Sequence, residues 1–293
     1  MGGLVAVTGA RGRLGRALLE ALPLEGFTPV PWSRPEYDLD DPGSARRVME
    51  RDHPDIVIHA AAWTDVDGCA LQPDLAKRRN SDATADVAAA CTQAGARLVV
   101  ISTNEVFDGQ RGDGLGYGET DVPRPINAYG ASKLAGEVGA LAAFEMTGRP
   151  QDVLIVRTAW LFGPPGNDFP AKIVAAADRL PADEPLKVVI DEVGSPTYTI
   201  DLAQAVVKLI STAGTSGVYH MVNSGQASRF ELAARVLAGR RPGRAIVPIS
   251  RAQFDRPSAP PAWAVLRSTR SFPANGALRP WSDAIDAYLP SLG

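Results

Sequence analysis

The sequence predicts an α/β fold, a Rossmann-like doubly wound parallel sheet with a smaller, loop-rich C-terminal lobe. Three observations point to it. Short Val- and Ile-rich runs alternate with helical patterns through the first two-thirds of the 293-residue chain. Those runs lack polar alternation, as strands covered on both faces do. A glycine triplet follows the first run directly, which is where such sheets place their ligand turn.

The elements follow in order. Strands are predicted at 4–8 (LVAVT), 28–32 (TPVPW), 55–60 (DIVIHA), 97–103 (RLVVIST) and 153–158 (VLIVRT). Helical patterns rich in Ala, Leu, Glu, Arg and Lys fill 13–22, 42–52, 74–94 and 127–147. A further helix at 201–212 leads to a strand over 217–223 (GVYHMVN). In the second strand Pro29 and Pro31 lack donors two residues apart, so both gaps face the same neighbour. That side is expected to meet a short or poorly paired strand around 36–39 and not the first strand. After about residue 161 the texture turns to loops such as FGPPGNDFP and DRPSAPPA.

Composition narrows the function classes. Hydrophobic residues make up 45% and charged residues 22%, with net charge −3 and pI near 5.7. That balance argues against nucleic-acid binding. No apolar run approaches the roughly 20 residues of a membrane span. The N-terminus enters a strand with no basic region or cleavage site, so no signal peptide is expected. Cys69 and Cys91 are too few for a disulfide framework, which suits a cytoplasmic location. His53, His59 and His220 are scattered without metal-ligand spacing, so no metal site is expected. Oligomeric state stays open, a homodimer included.

Gly9, Gly12 and Gly15 lie between the first strand and its helix (VTGARGRLGRALL). Glycines there allow a tight turn and let backbone N–H groups approach a pyrophosphate at a helix N-terminus. A Gly-rich turn that binds nothing would read the same way in isolation. The second strand runs into Ser33-Arg34, and Arg11 and Arg13 sit in the glycine loop. Arginine here accommodates a 2′-phosphate, so NADPH is favoured and NADH stays an alternative. Asp38, with Leu39 beside it, could meet the adenine or cap the helix starting near Pro42.

In NAYGASKLAGE (127–137), Tyr129 and Lys133 are four residues apart and share one helix face. An ammonium beside a phenol lowers its pKa from about 10. Such a tyrosine can give a proton to a carbonyl oxygen while hydride reaches the carbon. Lys133 can also hold nicotinamide ribose hydroxyls. The 97–103 strand ends in Ser102-Thr103, at the carboxyl edge where ligands gather. Thr103 is placed there to donate to the same carbonyl oxygen.

The motifs V-T-G-x-x-G-x-L-G, S-T-x-x-V-F-D-G and Y-G-x-S-K-x-x-G-E, in this order, resemble those of the extended short-chain dehydrogenase/reductases. Within them the chain is most similar to the dTDP-4-dehydrorhamnose reductases, with further matches at 54–69, 156–169, 191–206 and 217–233. The resemblance implies an NADPH-dependent reductase acting on the C4 ketone of a dTDP-linked 6-deoxyhexulose. Tyr129 would be the general acid, Lys133 its electrostatic partner and Thr103 the orienting hydroxyl. The cofactor would run over Gly9, Gly12, Leu14 and Gly15, past Ala60, Ala61 and Ala62, with Ser102 and Asn80 near the lysine. Thr64, Val66 and Trp160 would line the sugar pocket. Residues 1–160, with returns to the sheet around 198–223, would form the NAD(P)-binding domain. Residues 161–197 and 224–293 would form the substrate lobe.

Two departures stand out. Asn104-Glu105 replace the family's Asp-Tyr at positions expected to face the substrate. Pro260–Leu266 replace its R-P-x-x-S-x-L, with Arg256 or Arg267 as substitutes. Mg²⁺, associated with some relatives, could call on Glu192 or Asp191 at a subunit contact. Two other readings keep the fold: epimerase or dehydratase chemistry on a nucleotide sugar, and a non-catalytic, cofactor-binding regulatory subunit.

Overall fold

The computed structural model describes residues 2–270 and 277–292. Its centre is a six-stranded sheet, parallel throughout. The strands are β1 (Leu4–Thr8), β2 (Thr28–Trp32), β3 (Ile56–His59), β4 (Arg97–Thr103), β5 (Val153–Thr158) and β6 (Gly217–His220). Their order is β6-β5-β4-β3-β1-β2. Val, Ile and Leu in β3, β4 and β5 are buried almost without exception, as the lack of polar alternation requires. The winding direction reverses between β1 and β3, so a crevice opens beyond the carboxyl ends of those two strands.

Helices cover both faces. On one side α1 (Arg13–Ala21) packs against the helix Thr199–Ile210 over a core that includes Val5, Ile58, Leu154 and Val206. On the other lie α2 (Ser44–Asp52), α3 (Ala83–Ala94) and α4 (Ala128–Met146), around Trp32, Val57, Leu98 and Phe144. The 74–94 run is not one regular helix: a π-helical stretch, Lys77–Asp82, separates Pro73–Ala76 from α3. A third core around Phe162, Tyr198, Leu232 and Tyr288 gathers residues of the later chain. Beside it Leu186–Val189 pairs in parallel with Ile246–Ile249. Among the described residues, no helix is long and apolar enough to cross a membrane.

The expectation for β2 needs correction on one side. Thr28 donates its N–H to Gly3 O, and Trp32 O accepts from Ala10, so the alternate residues Pro29 and Pro31 do turn away from β1. Among the described residues, however, no strand meets them. Residues 34–40 form turns, and β2 ends the sheet. The prolines withhold donors from an open edge, the place where a sheet tolerates them.

Candidate active site

The crevice begins at the glycine loop. Gly9 has φ +66°, and a Cβ there would lie 2.9 Å from Ala61 Cα. A Cβ on Gly15 would come within 2.2 Å of Gly9 O, so α1 can approach the turn only at a glycine. Gly12 precedes α1 with no side chain to cap it, which leaves the first N–H groups of the helix for a ligand. Thr8 Oγ1 accepts from Ala61 N–H at 3.0 Å and lies 2.9 Å from His59 Nδ1, joining β1 to β3 where they diverge.

Beyond this turn lies a groove of about 410 Å³. Gly9, Arg11, Gly12, Ser33, Arg34, Asp38, Leu39 and Ala60–Ala62 line it, together with Tyr37, Asp40, Trp63 and Arg79. Asp38 accepts from Asp40 N–H and does not cap α2. Arg13 does not line this groove but the cavity at the carboxyl end of β4. Its guanidinium donates to the carbonyls of Leu161, Gly166 and Asn167 at 3.0–3.4 Å, and it approaches Asp168. Only Arg11 and Arg34 of the three expected arginines share the groove. Asn80 is a second departure. Its amide is spent on Trp63 N–H (2.8 Å), Trp63 O (3.0 Å) and Ser132 Oγ (3.1 Å), so it fastens the 60–63 segment to α4 and lines neither cavity.

A second cavity, about 290 Å³, lies at the carboxyl end of β4 and shares Ala60 and Ala62 with the groove. Thr103, Tyr129 and Lys133 all line it, with Leu14, Thr64, Val66, Ser102, Asn104, Glu105 and Trp160. Asn127 starts α4 by accepting from Gly130 N–H at 2.8 Å. Gly130 itself lies against the Glu105 carbonyl, where a Cβ would stand 2.0 Å away. That close approach brings the first turn of α4, and with it Tyr129, to the end of β4. Both Tyr129 and Lys133 are buried. Lys133 Nζ donates to Ile101 O at 2.7 Å.

The electrostatics correct one expectation. The Tyr129 phenol is pushed above its ordinary value, first by burial and then by the Glu105 carboxyl, with Thr103 opposing. Burial pulls Lys133 down to about 8, against the pull of Glu137. With its ammonium turned to the Ile101 carbonyl, Lys133 does not make the phenol acidic here. The phenol holds its proton.

Several site residues were not anticipated. Behind the cavity, Glu137 forms a buried pair with Arg157 (2.6 Å) and accepts from Ser102 Oγ at 2.5 Å. At the opposite wall the Arg229 guanidinium lies 3.5 Å from the Trp160 ring centroid, and burial pulls it down to about 10. Trp160 has φ +43°, and its ring covers Gly194, whose Cβ would sit 2.5 Å from it. Nothing in the sequence singles out Arg229, which lies inside the capping box formed by Ser228 and Glu231. Asn104 donates to Ala264 O at 3.0 Å, so it braces the Pro260–Leu266 segment. Of the two suggested arginines, Arg256 reaches this end, pairing with Asp67 at 3.0 Å. Asp191 is taken up by Ser250 and Arg251 N–H, and Glu192 faces Arg229. Among the described residues, no group of three or more His, Cys, Asp or Glu comes together as a metal site.

Comparison with known proteins agrees with this architecture. The model of the RmlD substrate binding domain matches residues 4–293. A dTDP-4-dehydrorhamnose reductase of Mycobacterium tuberculosis is 38% identical, over 97% of this chain and 92% of its own length. A dTDP-4-keto-6-deoxy-D-glucose reductase of Streptomyces niveus is 36% identical, over 98% and 96%. The crystal structure of dTDP-4-dehydrorhamnose reductase from Bacillus anthracis in complex with NADP superimposes with a TM-score of 0.89 at 33% identity, covering 99% of each chain. The glycine turn, the β4 end and the Tyr129–Lys133 helix thus belong to a shared plan: the chain is a member of the RmlD substrate-binding-domain family, that of the dTDP-4-dehydrorhamnose reductases.

Proposed function

We propose that this protein uses NADPH to reduce the C4 ketone of a dTDP-4-dehydro-6-deoxyhexose, converting dTDP-4-dehydrorhamnose to dTDP-L-rhamnose or carrying out a closely related reduction. One observation carries the reading: Tyr129, Lys133 and Thr103 line a cavity that shares Ala60 and Ala62 with the groove at the glycine turn. The relatives' names supply the sugar class.

NADPH fits the groove in its chemistry. Gly9 and Gly15 sit where any side chain would collide, α1 opens with free N–H groups, and Arg11 and Arg34 flank the end where a 2′-phosphate would rest. When bound, it supplies hydride to the carbonyl carbon. Tyr129, kept protonated by burial, gives its proton to the carbonyl oxygen, and Thr103 donates a hydrogen bond to that oxygen. Lys133 holds the ribose hydroxyls. Asn80 and Ser102 keep the surrounding backbone in register. Residues 161–197 and 224–293 hold the sugar, with Trp160 as a flat wall and Thr64 and Val66 at its side.

Purified protein mixed with NADPH and a panel of dTDP-4-keto sugars is expected to oxidise one NADPH per ketone reduced. Turnover without net NADPH loss would point instead to epimerase or dehydratase chemistry, which regenerates its cofactor. Absence of any turnover would favour a cofactor-binding regulatory subunit.

The pH profile tests Lys133. Burial lowers its pKa to about 8, so its charge disappears as pH rises through that value. For the free enzyme, kcat/KM should therefore fall above about pH 8. Lys133→Arg, which stays charged, should move that limb upward. A profile flat well above pH 8 would remove Lys133 from its assigned role.

A further inference from the structure

Glu105 is a carboxyl group in an unusual position. It is only 8% exposed, yet it lines the cavity that also contains Thr103 and Tyr129. Its Oε2 accepts from Asn127 Nδ2 at 2.7 Å. Among the described residues, Oε1 has no hydrogen-bond partner, and no Arg or Lys nitrogen lies within ion-pair distance of either oxygen. Arg229 pairs with Glu192, and Arg256 with Asp67, so the nearby cations are already engaged. Oε1 is therefore left to accept from a group that enters the cavity.

Its place in the chain locates that ligand group. Glu105 N–H donates to Thr103 Oγ1 at 3.2 Å, and Asn127, which holds Oε2, also caps the helix that begins with Tyr129. Glu105 is thus tied on both sides to the two hydroxyls assigned to the carbonyl oxygen. A donor that meets Oε1 would sit on a ring carbon beside the ketone. In a 4-keto-6-deoxyhexose, C5 offers only a methyl group and the ring oxygen, whereas C3 can carry an O–H or N–H.

We infer that Glu105 is a specificity-determining residue, whose Oε1 reads a hydrogen-bond donor on C3 of the sugar, next to the reacting ketone. The inference rests on the assignment of Thr103 and Tyr129 to the carbonyl. It makes 3-hydroxy or 3-amino 4-keto sugars the substrate class and disfavours 3-deoxy sugars, which would leave the carboxyl unpaired.

The test compares three dTDP-4-keto-6-deoxyhexoses, bearing 3-hydroxyl, 3-amino or 3-deoxy, with NADPH as reductant. The wild-type protein is expected to prefer a donor-bearing sugar over the 3-deoxy sugar by about 10- to 100-fold in kcat/KM. The faster of the hydroxyl and amino sugars identifies the donor. Glu105→Met should shrink the preference to within about threefold. Glu105→Gln, the same shape without the charge, should cost the 3-amino sugar about tenfold more than the 3-hydroxy sugar. Fluorescence of bound NADPH checks that each variant is folded. Equal wild-type rates on the three sugars would overturn the inference, as would a Met variant that kept the full preference. Failure to oxidise NADPH with any of the sugars would instead reject the reductase reading itself.

Discussion

Tyr129→Phe is expected to lower kcat by about 10²- to 10⁴-fold, the usual contribution of a positioned general acid. Burial and the Glu105 carboxyl hold the phenol in its neutral form, so at working pH it carries the proton it is to give. The phenyl ring fills the same space between Cys69, Ala76 and the start of α4, so the fold should be kept. KM should change far less than kcat, because the proton moves only as the ketone is reduced. Rapid mixing of the NADPH-loaded variant with 4-keto sugar measures the chemical step directly. A wild-type rate would remove Tyr129 from the reaction.

Arg157→Met is expected to destabilise the protein by about 3–5 kcal/mol, the usual consequence of leaving one member of a buried ion pair uncompensated. Glu137 and Arg157 are both buried, and the Glu137 carboxylate accepts from both the guanidinium and Ser102. Without the guanidinium, a buried carboxylate keeps only the Ser102 hydroxyl as a hydrogen-bond partner. Urea unfolding would show a lower midpoint with an unchanged slope. Combining it with Glu137→Met should recover much of the loss, since an apolar pair of similar volume leaves no orphaned charge. If Arg157→Met alone were neutral, water must reach Glu137 and the pair would not be dry.

The fold was legible where one local pattern decides the outcome. β1, β2, β4 and β5 lie at the expected limits because β-branched runs bounded by turns leave little choice of ends. The interruption at Lys77–Asp82 was not legible. Its sequence, KRRNSD, has no Gly or Pro to mark a break, and what accompanies the wider turn is a tertiary tie from Asn80 to Trp63. Proline spacing showed which side of β2 lacks donors, but an absent donor reads alike for a poor neighbour and for none. At the site, the line of Tyr129, Lys133 and Thr103 followed from spacing and strand ends. The direction of the Tyr129 shift did not, since a four-residue interval says nothing about which carbonyl the lysine chooses. Arg229 and Arg157 were missed, and the partners of Arg13 not foreseen, for a related reason. A charge's partner is chosen across the chain, 148 residues away for Arg13 and Leu161.

The sheet has a consequence for how the protein is made. β5 leaves the ribosome before its outer partner β6, which spans residues 217–220. The face of α1 likewise waits for the helix Thr199–Ile210, whose Leu202, Val206 and Leu209 cover it. Until about 220 residues have been synthesised, the nascent nucleotide layer therefore carries a bare strand edge and an uncovered apolar flank. Both invite mispairing. Truncation near residue 160 would make that transient state permanent.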